Sequence, residues 1–97
     1  MVIEYLRFQV PIALREAFIK RDAEVWTASK QQWRGYLGKE VWIDPSSSDV
    51  ILVIRWESIE AWQSVPQAEI DRLDNLMGEL AFPVQESRAL QVRKFSH

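Results

Sequence analysis

The chain has 97 residues, of which 47% are hydrophobic and five are tryptophan, with a formal net charge of −2 and no cysteine. That length suits one domain spanning residues 1–97; the scattered positive charge excludes a basic stripe for nucleic acid, and the missing cysteines exclude disulfides, thiol nucleophiles and iron–sulfur ligation. No apolar run nears the roughly 20 residues of a membrane span, the opening MVIEYLRF does not read as a signal peptide, and a cysteine-free chain fits the cytoplasm.

Residues 2–10, VIEYLRFQV, alternate as a strand, with Val2, Glu4, Leu6, Phe8 and Val10 on one face and Ile3, Tyr5, Arg7 and Gln9 on the other. Pro11 ends the strand and suits the first turn of a helix. Residues 12–33 hold no glycine or proline. Leu14, Phe18 and Val25 recur there at helical spacing, extended by Ile19, Trp26 and Trp33, so one helix of about six turns is expected. Gly35 is placed to close it.

YLGKEVWID (36–44) reads as the second strand and DPSSSD (44–49) as a turn. Residues 50–56, VILVIRW, are the most apolar strand, which argues for a central place in the sheet. The short turn pairs these two strands as an antiparallel hairpin. Ser58 is expected to cap a short helix with Glu60 in its first turn. SVPQ, from Ser64 to Gln67, has capping-box spacing ahead of a second long helix with the stripe Ile70, Leu73, Met77 and Leu80. Glu69, Asp71, Asp74 and Glu79 on its other faces read as solvated. Pro83 stops the helix, and residues 84–95 form a long final strand.

The order strand, helix, strand, strand, helix, strand points to an α+β fold. Its expected form is a ferredoxin-like βαββαβ protomer, a four-stranded antiparallel sheet with helices on one face. If Val50, Leu52, Ile54 and Trp56 point at the helices, then Ile51, Val53 and Arg55 point away and need other cover. A second copy in a two-fold contact is the simplest cover.

The segment GYLGKEVWIDPSSSDVILVIRWESIEAW resembles the corresponding region of the antibiotic-biosynthesis-monooxygenase-like dimeric α+β barrels. The likeness lies in a glycine pair opening strand two, an Asp-Pro turn, and a strand ending in Trp before Glu-Ser and a helix. The whole chain is also similar to a small, largely cyanobacterial family of that superfamily, through the opening strand, RDAEVW in the first helix and GKEVW in the second strand. The resemblance implies a homodimer whose two sheets close into a barrel. It leaves activity open, because the superfamily hosts oxygenases, haem degraders, isomerases and decarboxylases.

In haem-degrading and oxygenating relatives a tryptophan at the strand end corresponding to Trp56 lines a cavity between sheet and helices. The haem degraders also use a histidine in the following helix and an asparagine in the first strand. Here that helix has no histidine, the first strand has no asparagine, and the chain's single asparagine is Asn75, which argues against haem degradation. His97 is the only histidine, so neither a metal site of the zinc or copper type nor a Ser-His-Asp triad is expected.

Trp56 is either a core plug or the wall of a pocket shared with Trp26, Tyr36 and Phe18. Phe18, Asp22 and Trp26 form a four-residue ladder on one side of the first helix. Asp22 is accordingly a candidate general base, with a salt bridge to Arg15, Arg21 or another surface cation as the alternative. Arg7, Glu40, Arg55, Glu86 and Arg88 are charges inside strands. They serve a subunit interface, or else Arg7 or Arg55 anchors a carboxylate or phenolate.

Two functions follow. The first is a small-molecule-binding, monooxygenase-like domain that oxidises a phenolic substrate without cofactor or metal, as a cytoplasmic homodimer. The second is a non-catalytic homodimeric structural or interaction protein whose pocket is filled by its own tryptophans.

Overall fold

The computed structural model describes residues 1–97. Four strands, β1 (Val2–Gln9), β2 (Tyr36–Ile43), β3 (Asp49–Trp56) and β4 (Val84–Gln91), form one antiparallel sheet in the order β2-β3-β1-β4. This is the ferredoxin-like arrangement, with the most apolar strand, β3, paired on both sides.

Between β1 and β2 the chain makes a 3-10 turn (Ile12–Leu14), helix α1 (Arg15–Asp22), a π-helical turn (Ala23–Thr27) and the short helix α2 (Ala28–Lys30). The expected six-turn helix is thus broken in phase and ends at Lys30. Leu14, expected on the core stripe, lies in the 3-10 turn and is exposed.

Between β3 and β4 lie α3 (Ile59–Gln63), α4 (Gln67–Met77) and a 3-10 turn (Gly78–Leu80). Ser58 caps α3 as expected, its Oγ accepting from the Ala61 N–H at 3.1 Å. The expected capping box does not form. Ser64 Oγ donates backward to the Ala61 carbonyl at 2.6 Å, closing α3, and Pro66 occupies the cap position of α4 without a side-chain bond. The last strand is shorter than its sequence suggests, because Gln91 pairs with Val2, where β1 begins.

The core lies between sheet and helices. Phe8, Val10, Val50, Leu52, Ile54 and Trp56 from the sheet meet Phe18, Val25, Leu73 and Met77 from the helices. Phe18 packs on Phe8 and Phe82 with ring centroids 5.3 and 5.9 Å away. Arg21 ties the two helical layers together, donating to the carbonyls of Leu76 and Met77 at the end of α4; a cation suits that negative helix end.

Two glycines shape the approach to the cavity. Gly35 has φ +85°, and a Cβ there would lie 2.5 Å from Ala61 Cβ, so a bare backbone is needed for β2 to pass α3. At Gly38 the β2–β3 register slips: Tyr36 pairs Trp56, Gly38 pairs Arg55 and Lys39 pairs Ile54. The bulge reverses the alternation. Lys39 therefore turns to the helix side with Ile54, while Glu40 and Trp42 face outward.

Candidate functional site

A cavity of about 360 Å³ opens between the inner sheet face and the helices, a volume typical of small-molecule pockets. Its walls are mainly hydrophobic, and the aromatic share includes Phe18, Trp26, Trp33, Trp56, Trp62 and Phe82. Of the residues picked from sequence, Phe18, Asp22, Trp26 and Trp56 all line this space. Tyr36 stands behind it, edge-on to Trp56 at 5.9 Å. Burial, with the nearby Asp22 charge, pushes its phenol above the usual range.

Trp56 meets the geometric terms of both readings. It is buried in the core, yet one side faces the cavity. Trp33 stacks on it at 6.2 Å and 13°, and its indole N–H donates to Glu4 at 2.9 Å. The strand pattern places Glu4 there, since it shares the inward face with Leu6 and Phe8.

The ladder Phe18, Asp22, Trp26 continues one step further, to Lys30, and all four line the cavity. In a regular helix a four-residue step drifts about 40° around the axis. The wide π turn uses more residues per turn, cancelling part of that drift and keeping the ladder aimed at one space.

Asp22 is buried, and its salt-bridge partner is neither Arg15 nor Arg21 but Lys39. Lys39 Nζ donates to Asp22 at 2.5 Å and to Thr27 Oγ1 at 3.2 Å. Arg15 instead donates to the carbonyls of Asp44 and Ser47 in the hairpin turn.

Lys30 is also buried, with its ammonium 5.7 Å above the Trp26 ring. Burial pulls its pKa down to about 8; the Glu4 and Asp22 charges act against that shift and Lys39 acts with it. The acidic face of α4 is not wholly remote, because Asp74 reaches the cavity rim, where burial and the neighbouring Asp71 raise its pKa.

The five strand charges lie elsewhere. By register Arg7, Glu40, Arg55, Glu86 and Arg88 occupy the outer sheet face, and none lines the cavity. Arg7 bridges Asp49 at 3.5 Å and Glu86 at 3.3 Å, and Arg55 meets Glu40 at 2.5 Å. Glu40 accepts from the Trp42 indole and from Arg55, which holds its carboxyl below the usual range. Around these pairs lie Ile3, Tyr5, Trp42, Ile51, Val53 and Leu90.

No group of three or more His, Cys, Asp or Glu side chains is placed to hold a metal ion. No helix is long and apolar enough to cross a membrane.

A ferredoxin-like sheet with a cavity under its helices is a fold this chain shares with solved structures that include monooxygenases. By sequence, no protein-family model and no curated protein matches it. Solved structures do. The monooxygenase ActVA-Orf6 of Streptomyces coelicolor, in complex with nanaomycin D, superposes with a TM-score of 0.81 at 14% identity, over 99% of this chain and 90% of that one. SnoaB, a cofactor-independent oxygenase of Streptomyces nogalater, gives 0.74 at 16% identity, over 97% and 94%. A conserved protein of Methanosarcina mazei gives 0.67 at 12% identity, over 97% and 92%. At such identities the likeness concerns the fold, and at that level it agrees with the resemblance carried by the second and third strands.

Proposed function

We propose that this chain is a small-molecule-binding, monooxygenase-like domain that oxidises a phenolic or similar aromatic substrate with dioxygen and no cofactor. The observation that carries this reading is the aromatic cavity of about 360 Å³ with charged groups set into its wall. A chain built only for packing would close such a space with side chains. Two neighbours of the same fold lend support, one holding nanaomycin D and the other a cofactor-independent oxygenase.

In this reading Asp22 takes the substrate's hydroxyl proton. Doing so breaks its pair with Lys39 and leaves that ammonium buried with only the Thr27 hydroxyl as acceptor, which is costly. The role therefore asks for an acidic phenol or enol. Trp26, Trp33 and Trp56 shield the resulting anion from water while it reacts with oxygen, so that positioning and water exclusion supply much of the rate.

The domain acts as a cytoplasmic homodimer, with the outer sheet face as the contact. That face carries Trp42, Ile51, Val53 and Leu90 among ion pairs. It is an apolar surface with charges suited to fix register.

Native mass spectrometry of freshly purified protein tests both parts. A dimer carrying a reproducible extra mass is expected. A dimer with no adduct, together with no aromatic compound raising the melting temperature, would favour the non-catalytic structural alternative. A monomer at micromolar concentration would overturn the barrel.

A further inference from the structure

The charged groups around the cavity are not equally satisfied. Glu4 accepts from the Trp56 indole, and Asp22 accepts from Lys39. The chain's ion pairs join Arg7 with Asp49 and Glu86, Lys39 with Asp22, Arg55 with Glu40, and Arg72 with Glu69. Lys30 belongs to none of them and makes no side-chain hydrogen bond, although it is only 4% exposed. An ammonium group has three donors and no acceptor. The charged donor left without a partner at this cavity is therefore the Lys30 ammonium.

The surroundings restrict what fills it. Near Lys30 the wall holds the rings of Trp26, Trp33 and Trp56 and the carboxylates of Glu4 and Asp22, both of which already accept hydrogen bonds. A compact inorganic anion would meet one unpaired charged donor, two carboxylates that repel it and otherwise mainly apolar surface. A flat apolar body bearing one anionic oxygen would meet both kinds of surface. Trp33 is stacked on Trp56 with the ring planes 13° apart, so the pair lies flat in the cavity wall.

We infer that the cavity takes a planar aromatic ligand with an ionised oxygen, and that the Lys30 ammonium is the group that binds that oxygen. This rests on the cavity being an open ligand site, as proposed above. Burial makes the free ammonium costly to keep, and an incoming anion relieves that cost, so the pair forms where neither charge is well solvated. The charged groups facing Lys30 are Glu4 of β1, Asp22 of α1 and Lys39 of β2, with Asp74 of α4 at the rim.

The test uses 2-naphthoate and its neutral isostere 2-naphthamide, titrated into the intact protein with tryptophan fluorescence as readout. At pH 7 naphthoate is expected to bind at least about tenfold more tightly, the size of one charge-assisted hydrogen bond. That preference falls as pH rises past about 8, where free Lys30 loses its proton. Lys30→Met should erase both the preference and its pH dependence, while Lys30→Arg keeps the preference. Melting curves of both variants confirm that they are folded.

Equal binding of the two probes to the wild type would overturn the inference and leave the open cavity standing. Binding of neither would overturn the open cavity, and the inference with it. Undiminished naphthoate preference in folded Lys30→Met would overturn the assignment to Lys30.

Discussion

The two faces of the sheet carry ion pairs of the same length in different surroundings. On the helix side Lys39 and Asp22 meet at 2.5 Å with side chains 3% and 2% exposed; on the open side Arg55 and Glu40 meet at 2.5 Å at 35% and 48%. Distance does not separate them, but water does. Breaking a buried pair strands a charge in a medium that cannot solvate it, whereas an exposed partner returns to solvent at little cost.

Four substitutions, two of them with a compensating partner, would break or sharpen that contrast. Lys39→Met leaves Asp22 buried without its cation, and a loss of about 3–5 kcal/mol is expected from denaturant unfolding. Adding Asp22→Leu should restore much of it, since a buried pair replaced by apolar groups is often neutral or better. Failure of the second change to compensate would show that the pair is not the source of the loss.

Lys30→Met acts in the opposite direction. Lys30 titrates at about 8 in the folded protein against an ordinary value of 10.5. Below pH 8 both states hold the proton and the folded state bears the full burial cost. Between 8 and 10.5 only the unfolded chain holds it, so stability rises with pH across that window. The variant should be more stable than wild type at pH 7 by up to about 3 kcal/mol. The gap should close as pH approaches 10.5. A variant less stable at pH 7 would mean that Lys30 is satisfied in a way its surroundings do not reveal.

Gly35→Ala meets both an unfavourable positive φ and a clash with Ala61 Cβ, with an expected cost of about 2 kcal/mol. Pairing it with Ala61→Gly should recover the steric part and leave the conformational part. Glu40→Gln, on the open face, should change the stability of an isolated protomer by less than about 1 kcal/mol. If the outer face is the subunit contact, the same change should instead raise the concentration at which the dimer dissociates.

The contrast between the faces also explains what was legible in the sequence. Alternation in β1 placed Glu4 with Leu6 and Phe8, and the apolar run of β3 gave its central position, because side-chain period and burial agree there. The same rule fails in β2. Strict alternation from Tyr36 puts Gly38 and Glu40 inward and Lys39 outward, and the bulge at Gly38 reverses this. A glycine inside a strand pattern was the available signal.

Lys30 was hidden differently. It falls on the next step of the Phe18, Asp22, Trp26 ladder, but lysine is seldom buried without a partner. The π turn that keeps it in line has no mark in composition, as Ala23–Thr27 contains neither glycine nor proline. The SVPQ motif misled because Ser64 is already used to close α3.

That π turn also ties the cavity's chemistry to chain length. Losing one residue between Asp22 and Lys30 would let the helix regularise and rotate everything after it by about 100°. Lys30 would leave the cavity while the amino-acid types around it stayed the same. Among sequences of this kind, the count of seven residues separating that aspartate from that lysine is therefore a sharper marker of the site than either residue alone.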